Sequence, residues 1–257
     1  MFIFLIVIMN KFYKHIVLLL FLFLFLASTK ETNAETYLTH QYWFDYNPVY
    51  YFSNENYIHN QVSMNTIKPN EWWRYSVESE FHHNLPKYFL KNLNYRESFL
   101  AGLKFIYTFN KNSHNRLEIR PYQGYHFEFP RYLVFTINHY FQLDERFDMD
   151  AVDWVNTFGL RLQYKATITT KFSAGFVNLP YYFFIPVNLE FYWNLLNGKQ
   201  FNDVRRYVIG FGYEFSPSFN ASFNLGWHNT RNTIEDNFAT DDIVFRLRIH
   251  HYFNPPK

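Results

Sequence analysis

The stretch 206–228, RYVIGFGYEFSPSFNASFNLGWH, decides the fold because its bulky apolar residues recur at every second position on both sides of a turn. Before the Ser-Pro pair they alternate from Tyr207 to Phe215, and after it they alternate from Phe219 to Trp227. A period of two places successive side chains on opposite faces of a β-strand. A Ser-Pro pair between two such runs is typical of a tight turn. The stretch therefore predicts a β-hairpin with one aromatic face and one polar face.

The same alternation recurs along the chain from residue 40 onwards, and no segment shows a convincing helical period. Many of the alternating segments exceed ten residues, which is longer than the typical strand of about five or six. The predicted strands are 40–53, 71–83, 96–109, 114–121, 131–144, 153–168, 182–193, 204–215, 218–230 and 241–253. We therefore predict an all-β fold over residues 35–257, a single antiparallel up-and-down transmembrane β-barrel of about ten strands.

The composition favours a membrane barrel over a soluble one. The chain of 257 residues contains 32 Phe, 22 Tyr and 6 Trp, and aromatics make up 23% of it. Long strands with one aromatic face suit a closed barrel that turns this face towards lipid and pairs every backbone group within its wall. A soluble periplasmic ligand-binding barrel is the alternative, with its apolar face inside. Its interior would favour aliphatic residues over Phe and Tyr.

The first 34 residues predict a cleaved signal peptide. Lys11 and Lys14 precede an apolar run at 16–27, and the segment ends at Ala34 in what resembles a small-residue cleavage site. The run is too short for a spanning helix, which needs about 20 residues. The basic segment should come first, so Met9 is the expected true start. We expect the mature protein in the bacterial outer membrane, surrounded by outer-membrane lipid and inserted by the barrel-assembly machinery.

Several functional classes are excluded or disfavoured. The chain has no cysteine, so it has neither a disulfide framework nor a thiolate metal site. Its formal charge of +2 gives no electrostatic footprint for nucleic acid. Phosphate-loop, dinucleotide and zinc-protease motifs are absent. The adjacent histidines His82-His83 and His250-His251 point to opposite faces of their strands. We therefore predict no catalytic residue, no metal site and no cofactor.

Charged residues on the polar face of the strands predict a network inside the barrel, in which basic residues outnumber acidic ones. The predicted lumen network comprises Arg74, Glu78, Glu118, Arg120, Arg146, Arg161, Glu190, Arg206, Glu214, Arg246 and Arg248. Ten strands make a barrel little wider than the eight-stranded barrels that side chains fill. The network then either plugs the lumen with ion pairs or lines a narrow channel or receptor pocket with a mild preference for anions.

An even strand count would place both ends of the chain on the periplasmic side. The outward connections would then be 54–70, 110–113, 145–152, 194–203 and 231–240. Two of these are acidic at their edges, around 144–153 and 235–242. They lack the glycine and terminal glutamate of a calcium-binding EF-hand loop, so we expect solvated outer loops. His139 falls on the apolar face, which indicates either a membrane interface or a shift of register by a bulge.

An outer-membrane lipid hydrolase or a lipid-A-modifying enzyme is the alternative function, although an enzyme is the less favoured prediction. Such an enzyme needs a serine and a histidine in contact, supported by a carboxylate or an amide. Ser222 and His228 share a face of one strand, but six residues separate them by about 20 Å. A serine–histidine pair formed by side chains of two different strands is the alternative that the sequence leaves open.

Six short motifs carry a family resemblance by their order along the chain. They are 117–131 (LEIRPYQGYHFEFPR), 138–140 (NHY), 144–147 (DERF), 161–164 (RLQY), 188–191 (NLEF), and 205–206 (RR) before 210–213 (GFGY). Together they resemble the uncharacterised bacterial family called domain of unknown function 2490, over most of the chain after the leader. The resemblance implies an outer-membrane β-barrel. It implies no catalytic residue, because the family has no established activity.

Overall fold

The computed structural model describes one closed β-barrel. The described residues are 39–68, 72–85, 96–111, 113–132, 135–173, 182–196, 203–231 and 239–255, and the predicted signal peptide lies outside them. The strands are β1 (Thr39–Tyr51), β2 (Asn56–Lys68), β3 (Trp72–Leu85), β4 (Arg96–Phe109), β5 (Arg116–Tyr132), β6 (Phe135–Asp150), β7 (Asn156–Phe172), β8 (Phe183–Leu196), β9 (Asp203–Ser216), β10 (Phe219–Arg231) and β11 (Ala239–Phe253). Within these residues no helix is long and apolar enough to cross a membrane.

Each strand pairs antiparallel with the next, and the barrel closes where β1 pairs with β11. This closing pair is parallel and runs in register from Thr39 opposite Asp242 to Tyr50 opposite Phe253. The prediction of an all-β, up-and-down single barrel is confirmed. The described residues form eleven strands, against about ten expected.

The difference in strand count comes from β2, which occupies the segment 54–70 that we expected to be an outer loop. Its outward positions mix apolar Ile58 and Val62 with polar Asn60 and Thr66, so the alternation between faces is weak in the sequence. The expectation that both ends of the chain share one side is also wrong. Because β1 and β11 are parallel neighbours, β1 begins and β11 ends at opposite ends of the barrel.

The acidic segment after residue 143 forms part of the barrel wall, where we expected a solvated outer loop. β6 continues to Asp150, so Asp144 and Asp148 lie on its inward face. Asp144 is fully buried and accepts a hydrogen bond of 2.8 Å from the Nε of Arg161 on β7. Asp148 accepts one of 3.1 Å from the Nε of Arg116 on β5. The loop prediction was wrong here because each acid finds an arginine on an adjacent strand. The acids at 235–236 lie outside the described residues.

The two faces of the barrel wall reverse the arrangement of a soluble protein. Among the described residues, the buried set contains 22 polar or charged residues and only 7 hydrophobic ones, while 27 large hydrophobic residues are exposed. Residues such as Phe44, Phe105 and Phe223 are among the exposed ones, and they point away from the lumen. The shortest strands have 13 residues, which corresponds to about 43 Å of strand. At a tilt of about 40° this exceeds the apolar band of about 25 Å that a membrane barrel presents.

Aromatic side chains contact one another along the outer surface of β5 to β8. The ring of Phe127 stacks on His139 with 4.7 Å between centroids, and Phe141 lies 4.8 Å from Tyr164. His139 points outward and its Nδ1 lies 2.8 Å from the hydroxyl oxygen of Tyr164. The register of β5 and β6 is continuous at His139, since the irregularity in this pair lies between Phe129 and position 132. The bulge considered for His139 is therefore excluded.

The assignment of β2 is tested by a proline at Val62, an outward position paired with Tyr46 on β1 and Val77 on β3. Proline removes a backbone donor, and Pro48, Pro121 and Pro186 lie where pairing with one neighbouring strand is interrupted, whereas Val62 is paired on both sides. We expect Val62→Pro to abolish folding of the barrel, measured as loss of heat-modifiable migration on gels. Val62→Ala, which keeps the backbone N–H, should still fold. Normal folding of Val62→Pro would show that 54–70 is a loop.

Candidate binding cavity in the barrel lumen

The lumen contains a cavity of about 580 Å³. Its walls carry side chains from nearly every strand, and they include four histidines together with eight basic and four acidic residues. The basic residues are Arg74, Lys104, Arg120, Arg161, Lys165, Arg206, Arg246 and Arg248, and the acidic residues are Asp45, Glu78, Glu80 and Glu190. With the histidines neutral, the lining has a net charge of +4. The cavity is therefore polar and electropositive.

Three arginines and two acids form the first ion-pair cluster, on β5, β6 and β7. Glu118 pairs with Arg120 at 2.7 Å and with Arg146 at 2.6 Å. Asp144 pairs with Arg161 at 2.5 Å and lies 3.8 Å from Arg120. Arg120 therefore connects the two acids, and the cluster holds one more cation than carboxylates.

The second cluster surrounds Glu190 of β8. Its carboxylate accepts hydrogen bonds of 2.7 Å from Arg206 and from the hydroxyl of Tyr192. Lys165 lies farther away, with its Nζ 3.9 Å from Glu190 Oε1. The Arg206 guanidinium also donates to the Tyr192 oxygen at 3.0 Å. Glu190 is thus shared by two cations of unequal proximity.

The third cluster lies at the closing pair of strands. Asp45 of β1 is fully buried and accepts a hydrogen bond of 2.7 Å from Ser63 of β2. It also accepts a hydrogen bond from Arg246, and its Oδ2 lies 3.5 Å from the Nε of Arg248. Both arginines belong to β11, so the cluster connects the first strand of the barrel with the last.

Stacked guanidinium and aromatic groups connect the three clusters. Arg246 and Arg206 both lie over the ring of Trp43, at 4.9 and 5.0 Å. Arg206 and Arg161 lie over the ring of Tyr192, at 5.2 and 4.7 Å. Ring faces attract cations by their quadrupole. Each ring therefore attracts two arginines and offsets part of the repulsion between them.

Glu78 is held by one group on the neighbouring strand β4 and by a second that reaches across β4 from β5. It pairs with Lys104 at 2.7 Å and accepts a hydrogen bond of 2.7 Å from the hydroxyl of Tyr122 on β5. Tyr122 crosses the strand above Gly102, where an added Cβ would lie 2.3 Å from the ring. The absence of a side chain at Gly102 is what allows this crossing.

Glu80, two residues further along β3, is surrounded by histidine and tyrosine side chains. Its carboxylate lies 2.5 Å from His82 Nε2 and 3.8 Å from His59 Nδ1, and it accepts a hydrogen bond from Tyr140. Tyr57 stacks on His82 with 4.3 Å between ring centroids. Tyr140 belongs to β6, three strands away from β3, so this contact crosses part of the lumen.

Ser98 lies between two imidazoles. Its Oγ is 3.5 Å from His82 Nδ1 and 3.4 Å from His126 Nδ1, and His126 Nε2 lies 3.1 Å from the Oδ1 of Asn138. Serine, histidine and an amide therefore meet across β4, β5 and β6. Ser98 is 1% exposed. Its hydroxyl does not line the cavity, whereas both imidazoles do.

The structure places the predicted lumen network on the inward face. Eight of its members line the cavity, and Glu118 and Arg146 lie in the first cluster beside Arg120. Glu214 lies apart from them and pairs with Lys171 at 3.0 Å, where the Lys171 side chain is half exposed. The eight members that line the cavity are Arg74, Glu78, Arg120, Arg161, Glu190, Arg206, Arg246 and Arg248.

Sequence reasoning missed several groups that complete the clusters. Asp45 shares its parity with Gln41 and Asn47 in β1, so the alternation could have identified it. Tyr192 shares its parity with Glu190, but we grouped tyrosines with the lipid-facing aromatics. The contacts of Ser98 with histidines on two adjacent strands depend on strand register, for which a single sequence carries no signal.

One group outside the lumen has metal-ligand character. His114, Asp150 and Asp153 place possible ligand atoms within 4.8 Å of one another at one end of the barrel. Asp150 Oδ1 accepts a hydrogen bond of 2.8 Å from the backbone of Val152, and its Oδ2 lies 2.9 Å from His114. These bonds account for the cluster, because they hold the turn between β6 and β7 and join it to His114, which precedes β5.

No family model and no curated protein matches this chain. The resemblance to domain of unknown function 2490 therefore stays a prediction.

The first cluster is tested by removing its fully buried acid. Asp144→Ala would leave Arg161 without its carboxylate, and an unpaired buried charge costs about 3–5 kcal/mol. We expect the free energy of unfolding in detergent, measured with urea, to fall by about that amount. Glu145→Ala removes the same charge from the outward face and is the matched control. Equal stability of the two variants would contradict a stabilising role for the cluster.

Proposed function

We propose that the chain is an integral protein of the bacterial outer membrane, with a polar lumen closed by side chains and a receptor or structural role. The distribution of side chains over the two faces of the wall supports this proposal, since the large apolar side chains point outward and the charges point inward. Lipid solvates such an outer surface and needs no protein partner to cover it. The proposal includes the exported precursor, insertion by the barrel-assembly machinery, and membership of the uncharacterised family that the sequence resembles.

A soluble periplasmic binding barrel is disfavoured by the same observation. Soluble proteins rarely expose contiguous apolar patches larger than a few hundred Å². Here exposed aromatic and aliphatic side chains occur on strands all around the barrel, among them Tyr42, Phe81, Phe141 and Phe211. The interior of a soluble barrel would also contain apolar side chains, whereas this lumen contains ion pairs.

Contacts between strands that are not neighbours support a closed lumen over an open channel. The hydroxyl of Tyr140 on β6 donates to Glu80 on β3, two strands being passed over. Arg206 of β9 lies over Trp43 of β1, again with two strands between them. Such side chains cross the interior, and the remaining space is a pocket of about 580 Å³. A pocket of this size suits a receptor for a small molecule.

The membrane location is tested by fractionating cells that express the full chain. We expect the protein in the outer-membrane fraction and a faster migration of unboiled than of boiled samples, because a closed barrel resists detergent. Recovery in the soluble periplasmic fraction would contradict the proposal.

The closed lumen is tested by conductance in planar lipid bilayers. We expect the purified protein to give no current steps above baseline, because side chains cross the interior. A porin of known conductance, inserted in the same bilayers, is the positive control. Reproducible steps from heat-modifiable protein would show a channel.

Ester hydrolysis is a second candidate function, which one arrangement favours. Ser98, His126 and Asn138 provide a nucleophile, a base and an amide that orients the base. The 1% exposure of Ser98 means that a substrate would have to enter through the cavity.

The hydrolase function is tested with a fluorophosphonate probe, which labels activated serines. Labelling that is lost in Ser98→Ala and kept in Ser222→Ala, a lumen serine of β10, would establish it. Absence of labelling in the wild type, or labelling that persists in Ser98→Ala, would contradict the hydrolase function.

A further inference from the structure

Four cations on one side of the cavity exceed the carboxylates that they contact. We call them the cationic patch, and its members are Lys165 of β7, Arg206 of β9, and Arg246 and Arg248 of β11. Among the described residues, two carboxylates form ion pairs with the patch, Glu190 and Asp45. With both carboxylates ionised, the patch keeps a surplus of two positive charges. Unneutralised charge is costly away from bulk water.

Two members of the patch are held loosely. The Lys165 Nζ is 3.9 Å from Glu190, whereas Arg206 is 2.7 Å from the same carboxylate. The Arg248 Nε is 3.5 Å from Asp45, which already accepts a hydrogen bond from Arg246. Both distances exceed those of strong charge-assisted hydrogen bonds, which are about 2.7–2.9 Å. Lys165 and Arg248 therefore have donors available to a further acceptor.

Two donor atoms of the patch are buried without an acceptor. In the part of the chain that the structure describes, the Nε atoms of Arg206 and Arg248 have no hydrogen-bond partner. Buried polar groups in native proteins are almost always hydrogen-bonded, to protein or to another molecule. Both side chains line the cavity. The patch is therefore short of acceptor oxygens as well as of negative charge.

We propose that the cationic patch is a binding site for a phosphate group with two negative charges. A dianion neutralises the surplus of two, and its oxygens offer acceptors to several donors at once. Guanidinium groups match phosphate oxygens in geometry, and arginine is the usual residue for this recognition. A cavity of about 580 Å³ has room for a phosphorylated small molecule. This inference rests on the receptor role proposed above and names its ligand class.

The site has a wall suited to the rest of such a ligand. Trp43 and Tyr192 line the cavity beside the patch, and Arg206 lies over both rings. Because arginines lie over the faces of both rings, the ring edges are what a sugar or another organic group attached to the phosphate can contact. The shared chemistry is a phosphomonoester, and it can come from a soluble metabolite or from the headgroup of a lipid.

Binding is tested by calorimetry with the full chain folded in detergent, in buffer without phosphate. We expect saturable binding of glucose 1-phosphate at one site and no binding of glucose. Dihexanoyl phosphatidic acid is the lipid probe, with dihexanoyl phosphatidylcholine as its zwitterionic control. Saturable binding of either phosphomonoester supports the site, and the tighter of the two identifies the source. Binding of neither, or equal binding of glucose, overturns the inference.

Two variants test whether glucose 1-phosphate binds within the cavity. Lys165→Met leaves Glu190 with Arg206 and Tyr192, so the barrel should still fold. We expect it to weaken glucose 1-phosphate binding by about tenfold or more, the range for a lost charged hydrogen bond. Lys171→Met removes one positive charge from a side chain outside the cavity and should leave the affinity unchanged. Equal loss in both variants, or in neither, overturns the assignment.

A conservative variant separates charge from geometry. Arg248→Lys keeps the positive charge but loses the planar fork and the Nε donor, so it should weaken binding less than Arg248→Met. Heat-modifiable migration of each sample reports barrel formation independently of binding. A folded barrel in the outer membrane that binds no phosphomonoester contradicts this inference alone. Absence of the folded barrel from the membrane fraction contradicts the proposed function.

Discussion

The carboxylate shared between two cations is the interaction on which the inner wall depends. Asp45, Glu118, Asp144 and Glu190 each contact two basic side chains of their own or neighbouring strands. A charge buried inside a narrow barrel is costly unless it is paired. Sharing lets a few acids hold a larger number of arginines and lysines around the wall. The positive surplus of the cavity follows directly from this ratio.

The closing pair of strands determines where one of these clusters forms. Asp45 and Arg246 are 201 positions apart in the chain, and only the pairing of β1 with β11 brings them together. The register sets Trp43 beside Arg246 and Asp45 beside Arg248. In a barrel whose strands all pair with their sequence neighbours, an odd count requires a parallel closure. The existence of β2 therefore fixes the direction of β1, and with it the partners of Asp45.

The sequence predicts which face of the barrel wall a side chain occupies better than it predicts which side chains it contacts. From Tyr207 to Phe215 in β9 and from Phe219 to Trp227 in β10 every outward position is apolar or aromatic, so the period of two predicts both the strands and their orientation. In β2 polar residues occupy both faces, and the contrast is lost. Contacts such as Ser98 with His126 depend on the register between strands, and a slip of two residues leaves the alternation unchanged. Parity thus predicts that Arg161 faces inward, but not that it meets Asp144.

The odd strand count also gives the polypeptide a direction across any layer that the barrel spans. β1 starts at one mouth of the barrel and β11 ends at the other. Barrels with an even count return the chain to the mouth where it entered. Here a domain fused ahead of Thr39 and one fused after Phe253 would emerge at opposite mouths of the barrel. In this respect the chain passes from one mouth to the other, as a single transmembrane helix does, although its wall consists of antiparallel strand pairs and one parallel closing pair.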